Sequence, residues 1–137
     1  MRFYSFTNMY TSGIHAGIQS AHAVHEMMTK YMARQDDPKY KRFLDWAHNH
    51  KTMIVKQAGY HSSLNSLYDE LKESSAWLEL PMVKWRESQE ALNGATTAIG
   101  IVVPAEVYTI PPSALFRTDN SAQHKLASII NRYPMAN

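Results

Sequence analysis

The sequence predicts an α/β fold, a single three-layer domain with a mixed sheet of about four strands and helices on both faces. Three observations lead there. Candidate elements alternate in the order β-α-α-β-α-β-β-α, which favours crossover connections. Thr96 to Val103 is β-branched and almost unbroken in its apolarity, the signature of a strand covered on both sides. Helical stretches with one apolar stripe lie between strand-like segments and supply the covering layers.

Taken in order, Arg2 to Met9 alternates, with Phe3 and Ser5 on one side and Tyr4 and Phe6 on the other, and reads as a strand ending near Ser12-Gly13. A helix follows to about Met32, its packing stripe assigned to Ile14, Ile18, Ala21 and Met28. Asp37-Pro38 supplies an N-cap and first-turn proline for a second helix, with Tyr40, Phe43, Leu44 and Ala47 at helical spacing and an end near His50. Lys51 to Gln57 is a strand closed by Ala58-Gly59. Ser62 or Ser63 caps a third helix striped by Leu64, Leu67, Tyr68 and Leu71. Pro81 to Arg86 is a short strand, Asn93-Gly94 a turn, and Pro104 the end of the buried strand. Tyr108 to Phe116 reads as irregular. Asn120 or Ser121 opens a last helix bearing Ala122, Leu126, Ile129, Ile130 and Tyr133. No repeat or linker divides residues 1–137, although the segment from about 105 extends beyond the αβ pattern.

The composition narrows the class. With 137 residues, 45% of them hydrophobic, and a formal net charge of +2, the chain is globular and only mildly basic. An anionic partner is allowed but not demanded, because no dense Lys/Arg tract occurs. The absence of cysteine excludes disulfides and thiolate chemistry. No apolar run reaches membrane-spanning length and the N-terminus lacks a signal layout, so a cytoplasmic protein with no membrane partner is expected. There is no P-loop, GxGxxG or GxSxG.

The first helix carries the most chemistry. His15, Gln19, His22 and Glu26 fall at offsets of four, seven and eleven, one stripe of the helix surface. His15 or His22 is suited to general acid–base work near neutral pH, with Gln19 orienting a carbonyl or phosphate. Metal ligation by His15, His22 and Glu26 lacks an HExxH-type signature, and no metal or other cofactor is expected. The bland alternative is a set of histidines bonded to neighbouring loops. His25 lies on the other side of the helix, and His48, His50, His61 and His124 have no recognisable partners in sequence. Lys39, Lys41 and Arg42 read as a solvated face, and Trp46, Trp77 and Trp85 as core or interface residues. The segment Asn93 to Thr97, through its backbone N–H groups and hydroxyls, suits an anion or ester carbonyl as well as a plain hairpin turn.

Ile14-His15-Ala16-Gly17-Ile18-Gln19-Ser20-Ala21-His22-Ala23 resembles the G-K-x-A-A-Q-x-x-H-A helix motif of the archaeal and eukaryotic-type (second class) peptidyl-tRNA hydrolases, with Gln19, His22 and Ala23 kept. Lys51 to Gln57 resembles that family's Lys-Val-Val-Leu-Lys-Val strand, the Leu64 to Leu71 helix follows in like order, and Thr97-Ala98-Ile99-Gly100 is similar to its closing Thr-rich strand. The likeness covers roughly residues 1–104. The family lysine falls on His15 and its glycine on Ile14. The family's Asp-Ala-Gly has no equivalent in Trp85-Arg86-Glu87-Ser88-Gln89-Glu90, where Glu87 is the substitute carboxylate. The stretch 36–50 and the tail beyond Pro104 exceed the family pattern.

The resemblance implies hydrolysis of the ester between a peptide and tRNA. Gln19 and His22 would form the site wall, and His15 would stand in for the lysine. Thr96, Thr97 and Gly94 would contact substrate, Glu87 would orient a water, and no cofactor would be used. A second reading from another class is a non-catalytic module on the same scaffold. It would hold tRNA, a nucleotide or a protein, with the C-terminal segment forming a homodimer contact.

Overall fold

The computed structural model describes residues 1–11, 13–87, 94–116 and 121–136. Its strands are β1 (Arg2–Thr7), β2 (Met53–Gln57), β3 (Met82–Arg86) and β4 (Thr96–Val103). Its α-helices are α1 (Ile14–Tyr31), α2 (Pro38–Asp45), α3 (His61–Leu78), α4 (Ala105–Tyr108) and α5 (Ala122–Arg132). Helix α2 runs on into a π turn, Trp46–His50, and a 3-10 turn, Pro112–Phe116, precedes α5. The strands form one sheet in the order β2-β1-β4-β3. β1 and β2 are parallel, whereas β4 runs antiparallel to β1 and β3. The expected mixed four-stranded sheet with helices on both faces is therefore present. The stretch read as irregular, Tyr108 to Phe116, takes in the last residue of α4 and the 3-10 turn, and α4 itself starts directly after Pro104 breaks the β4 ladder.

Alternation on β1 divides the core into two. Tyr4 and Phe6 point to the side of Ile99, Ile101, Leu64, Leu67 and Leu71, where α3 and α5 pack. Phe3 points the other way, to Ala98, Val102, Ala23, Met27, Phe43 and Trp46, where α1 and α2 pack. All eight residues of β4 are buried, as its uninterrupted apolar run requires. Asp37 caps α2 by accepting from the Lys39 N–H at 2.9 Å, with Pro38 in the first turn. Ser121 caps α5 by accepting from the His124 N–H; the alternative cap, Asn120, and the turn residue Asn93 lie outside the described residues. Helix α3 starts earlier than expected, with Tyr60 rather than Ser62 or Ser63 at the N-cap. Gly59, at φ 84°, turns the chain into the helix at that point, and the Leu64 N–H already donates to the Tyr60 carbonyl.

The packing stripe of α1 differs from the expected one. Ala16, Ser20, Ala23, Met27 and Tyr31 face the sheet, whereas Ile14, Ile18 and Met28 are 76%, 44% and 45% exposed and Ala21 is exposed as well. Small inward residues let the helix approach the sheet closely. The Ser20 hydroxyl meets the Ser5 hydroxyl at 2.7 Å and donates onward to the Ala16 carbonyl at 2.8 Å. Apolarity alone selected the wrong stripe because the contact is made by small residues. Removing the Ser20 hydroxyl (Ser20→Ala) leaves the Ser5 O–H buried without an acceptor, an expected loss of about 1–3 kcal/mol. Ser5→Ala leaves Ser20 bonded to Ala16 and is expected to cost under about 1 kcal/mol, a contrast that urea unfolding of the two variants measures.

The C-terminal segment serves the same chain. After α5, the Gln57 N–H donates to the Pro134 carbonyl and the Ala136 N–H to the Val55 carbonyl, so residues 134–136 run along the outer edge of β2. The Lys56 ammonium donates to the Tyr133 carbonyl at 3.1 Å, and burial holds its pKa below the ordinary lysine value. Pairing of this kind occupies a strand edge that would otherwise template association. No helix among the described residues is long and apolar enough to cross a membrane.

Candidate functional site

Strands β1 and β2 are parallel neighbours whose chains leave the sheet in opposite directions, β1 toward α1 on one face and β2 toward α3 on the other. In an open α/β sheet that divergence leaves a crevice at the carboxyl ends of the strands, where ligands characteristically bind. A cleft of about 450 Å³ lies there. One wall is Asn8, Tyr10 and Thr11, the other Tyr60, His61 and Ser62, with Thr97 between them. Its size falls within the usual range for small-ligand sites.

Local hydrogen bonds explain why these loops keep their shape. Asn8 Oδ1 accepts from the Tyr10 N–H at 2.9 Å, an Asx turn, while Asn8 Nδ2 donates to the Thr96 carbonyl at 3.3 Å. The Met9 N–H donates to the Gly59 carbonyl at 2.7 Å and ties the two walls together. Tyr10 and Tyr60 meet with ring centroids 5.3 Å apart, and both are largely exposed.

A β-bulge aims the two threonines. Trp85 pairs with Ala98 but Arg86 pairs with Thr96, so one step on β3 answers two on β4. Strict alternation would put Thr96 with Ala98 on the α1 side and Thr97 with Ile99 on the α3 side. The bonds run the other way. Thr96 Oγ1 donates to Asn65 Oδ1 of α3 at 3.0 Å, and Thr97 Oγ1 donates to Gln19 Oε1 of α1 at 2.9 Å.

The helix stripe is divided among different neighbours. Gln19 accepts from Thr97, which lines the cleft, but neither Gln19 nor His15 is itself among the lining residues. The His22 ring stacks on Trp85 at 4.6 Å with the planes 10° apart, and Trp85 Nε1 donates to Glu87 Oε1 at 3.4 Å. Glu26 is half-buried farther along. His15 is exposed in the first turn and makes no hydrogen bond or ion pair among the described residues. Gly94 is buried at φ 70°, and its carbonyl accepts from Arg86 Nε at 3.0 Å, a hairpin role. Of the remaining candidates, Thr97 lines the cleft and Thr96 anchors its floor. Trp85 and Trp46 pack as expected, but Trp77 is 77% exposed.

No protein-family model matches the chain, and no curated protein matches it significantly. The chemistry is therefore read from the geometry.

Three residues the sequence did not single out hold the site together: Asn8, His61 and Asn65. His61 Nδ1 accepts from the Thr96 N–H at 2.7 Å, and His61 Nε2 lies 3.1 Å from the Asn65 side-chain nitrogen. Lys84 Nζ also donates to Asn65 Oδ1, at 3.1 Å. The signal available was the spacing of His61 and Asn65, one helical turn apart at the start of α3. His15 is exposed, with no hydrogen-bond partner among the described residues. Gln19, accepting through Oε1, keeps its amide hydrogens for a carbonyl or phosphate oxygen. Among the described residues, no group of three or more His, Asp or Glu side chains is arranged to hold a metal ion.

Proposed function

We propose that the chain is an ester hydrolase of the peptidyl-tRNA hydrolase kind, receiving the ester end of peptidyl-tRNA at the cleft beyond β1 and β2. The observation that carries this reading is the hydrogen bond from Thr97, which lines the cleft, to Gln19 of α1. It joins the two stretches of sequence that resemble that family, 78 positions apart. The Gln19 amide donates to the ester carbonyl as negative charge builds on it. His15, one helical turn away on the same stripe, takes a proton from the attacking water. The tetrahedral intermediate then expels the ribose oxygen, which recovers that proton, giving a peptide carboxylic acid and a free tRNA hydroxyl. His22, Trp85 and Glu87 form the supporting wall, and no cofactor takes part. In the cell, a substrate of this kind places the protein in the cytoplasm.

The test is release of N-acetyl-aminoacyl group from tRNA by the purified chain. Gln19→Ala and His15→Ala are each expected to slow release about 10²-fold or more, with circular dichroism unchanged. No release above background by the unmutated protein overturns the hydrolase reading. A binding-only module is the second reading, favoured because no carboxylate lies among the described residues lining the cleft. Salt-sensitive tRNA binding without release would establish it.

A further inference from the structure

Helix α1 presents to solvent a seam that the rest of the fold leaves uncovered. Ile14, Ile18, Ala21, His25, Met28 and Met32 recur at alternating intervals of four and three, the spacing of a two-helix seam. All six are exposed, and Ile14, Ile18, Met28 and Met32 are 76%, 44%, 45% and 48% so. Met32 keeps right-handed helical geometry at the C-cap, so the register holds to the end. Helix α3, of the same 18-residue length, shows what a solvated face looks like here: Asp69, Glu70, Lys72 and Glu73 are exposed on it. Helix α1 has only Glu26 and Lys30 as permanently charged residues, and neither lies on the seam. Lys30 instead donates to the Met82 carbonyl at 2.9 Å.

We infer that this seam is the contact between two copies of the chain, packed antiparallel about a two-fold axis. The seam is its own complement when reversed. Ile14 faces Met32 of the second copy, Ile18 faces Met28, and small Ala21 faces the larger His25, each pair being symmetric about position 23. A two-fold interface demands this reciprocity, in which a residue's partner contacts that residue's counterpart. Gly17, beside the seam, has nothing within 4 Å of where a Cβ would lie, so the second backbone can approach closely. No like charges on the seam oppose the pairing. The interface is small, and a dimer of roughly micromolar dissociation constant is expected. This inference does not depend on what the cleft binds.

Sedimentation equilibrium of the full chain across about micromolar to millimolar concentration tests it. The unmutated chain should dimerise, and Ile18→Glu should weaken the dimer by at least about 30-fold. Adding Met28→Lys to Ile18→Glu places opposite charges across each reversed pair and should restore much of the loss. Because the chain has no cysteine, introduced thiols report the register. A mixture of Ile14→Cys and Met32→Cys chains should cross-link, whereas Ile14→Cys alone should not. A chain that stays monomeric throughout, an Ile18→Glu variant that dimerises undiminished, or Ile14→Cys cross-linking to itself would overturn the arrangement. The substituted positions are exposed, so circular dichroism should be unchanged in every variant.

Discussion

Gly100→Ala is expected to destabilise the fold by about 2–3 kcal/mol, although it adds one methyl group to a buried strand. A Cβ at Gly100 would lie 2.4 Å from Phe3 Cζ and 2.9 Å from its Cε1. The Phe3 ring cannot swing aside cheaply: it is fully buried and packs on Trp46 at 4.9 Å between centroids. Ala23 of α1 lies 3.4 Å away on the same side and closes the alternative route. Phe3→Leu alone should cost about 1–2 kcal/mol, and in the Gly100→Ala background it should cost less or even restore stability. Midpoints of urea unfolding for the four chains measure the coupling. Strict additivity of the two substitutions would sink the explanation.

Asn65→Ala is expected to cost about 2–4 kcal/mol, because one amide serves three neighbours. Its removal takes the acceptor from the buried Thr96 hydroxyl and from Lys84, and frees the His61 ring that receives the Thr96 N–H. The floor of the cleft loosens with it, so under the proposed hydrolase function ester release should fall in parallel. Asn65→Asp keeps an oxygen toward Thr96 and adds a carboxylate facing Lys84. It should therefore be more stable than Asn65→Ala by about 1–2 kcal/mol. Thermal unfolding of the three proteins at neutral pH checks the order, and equal losses in both variants would remove Asn65 from its central place.

Particular elements show where the sequence was legible. The apolar run of Thr96 to Val103 identified the central strand because burial on both faces leaves an unmistakable composition. Alternation in Phe3 to Phe6 identified both faces of β1 and thereby both cores. Asp37-Pro38 marked a helix start through local chemistry alone. Residues whose roles depend on distant partners were less legible. Gln19 and Thr97 were both chosen, but their bond depends on a bulge in the β3–β4 pairing that no local pattern announces. Asn8, His61 and Asn65 are ordinary loop and helix residues until the fold brings Thr96 among them. For α1, periodicity correctly marked two stripes of distinct character. Neither of them meets the sheet, because Ala16, Ser20 and Ala23, on a third stripe, pack through smallness rather than hydrophobicity.

The opposed exits of β1 and β2 give the cleft two separate supports. The Asn8–Thr11 wall is continuous with the layer of Met27 and Phe43, and the Tyr60–Ser62 wall with the layer of Leu64 and Leu71. Each wall is thus mounted on its own core, with the sheet as a rigid partition between them. Substitutions in one layer act first on one jaw, and reach the other through the Met9–Gly59 bond and the Tyr10–Tyr60 contact. Ligand preference in such a protein can drift by repacking in either layer, far from the ligand.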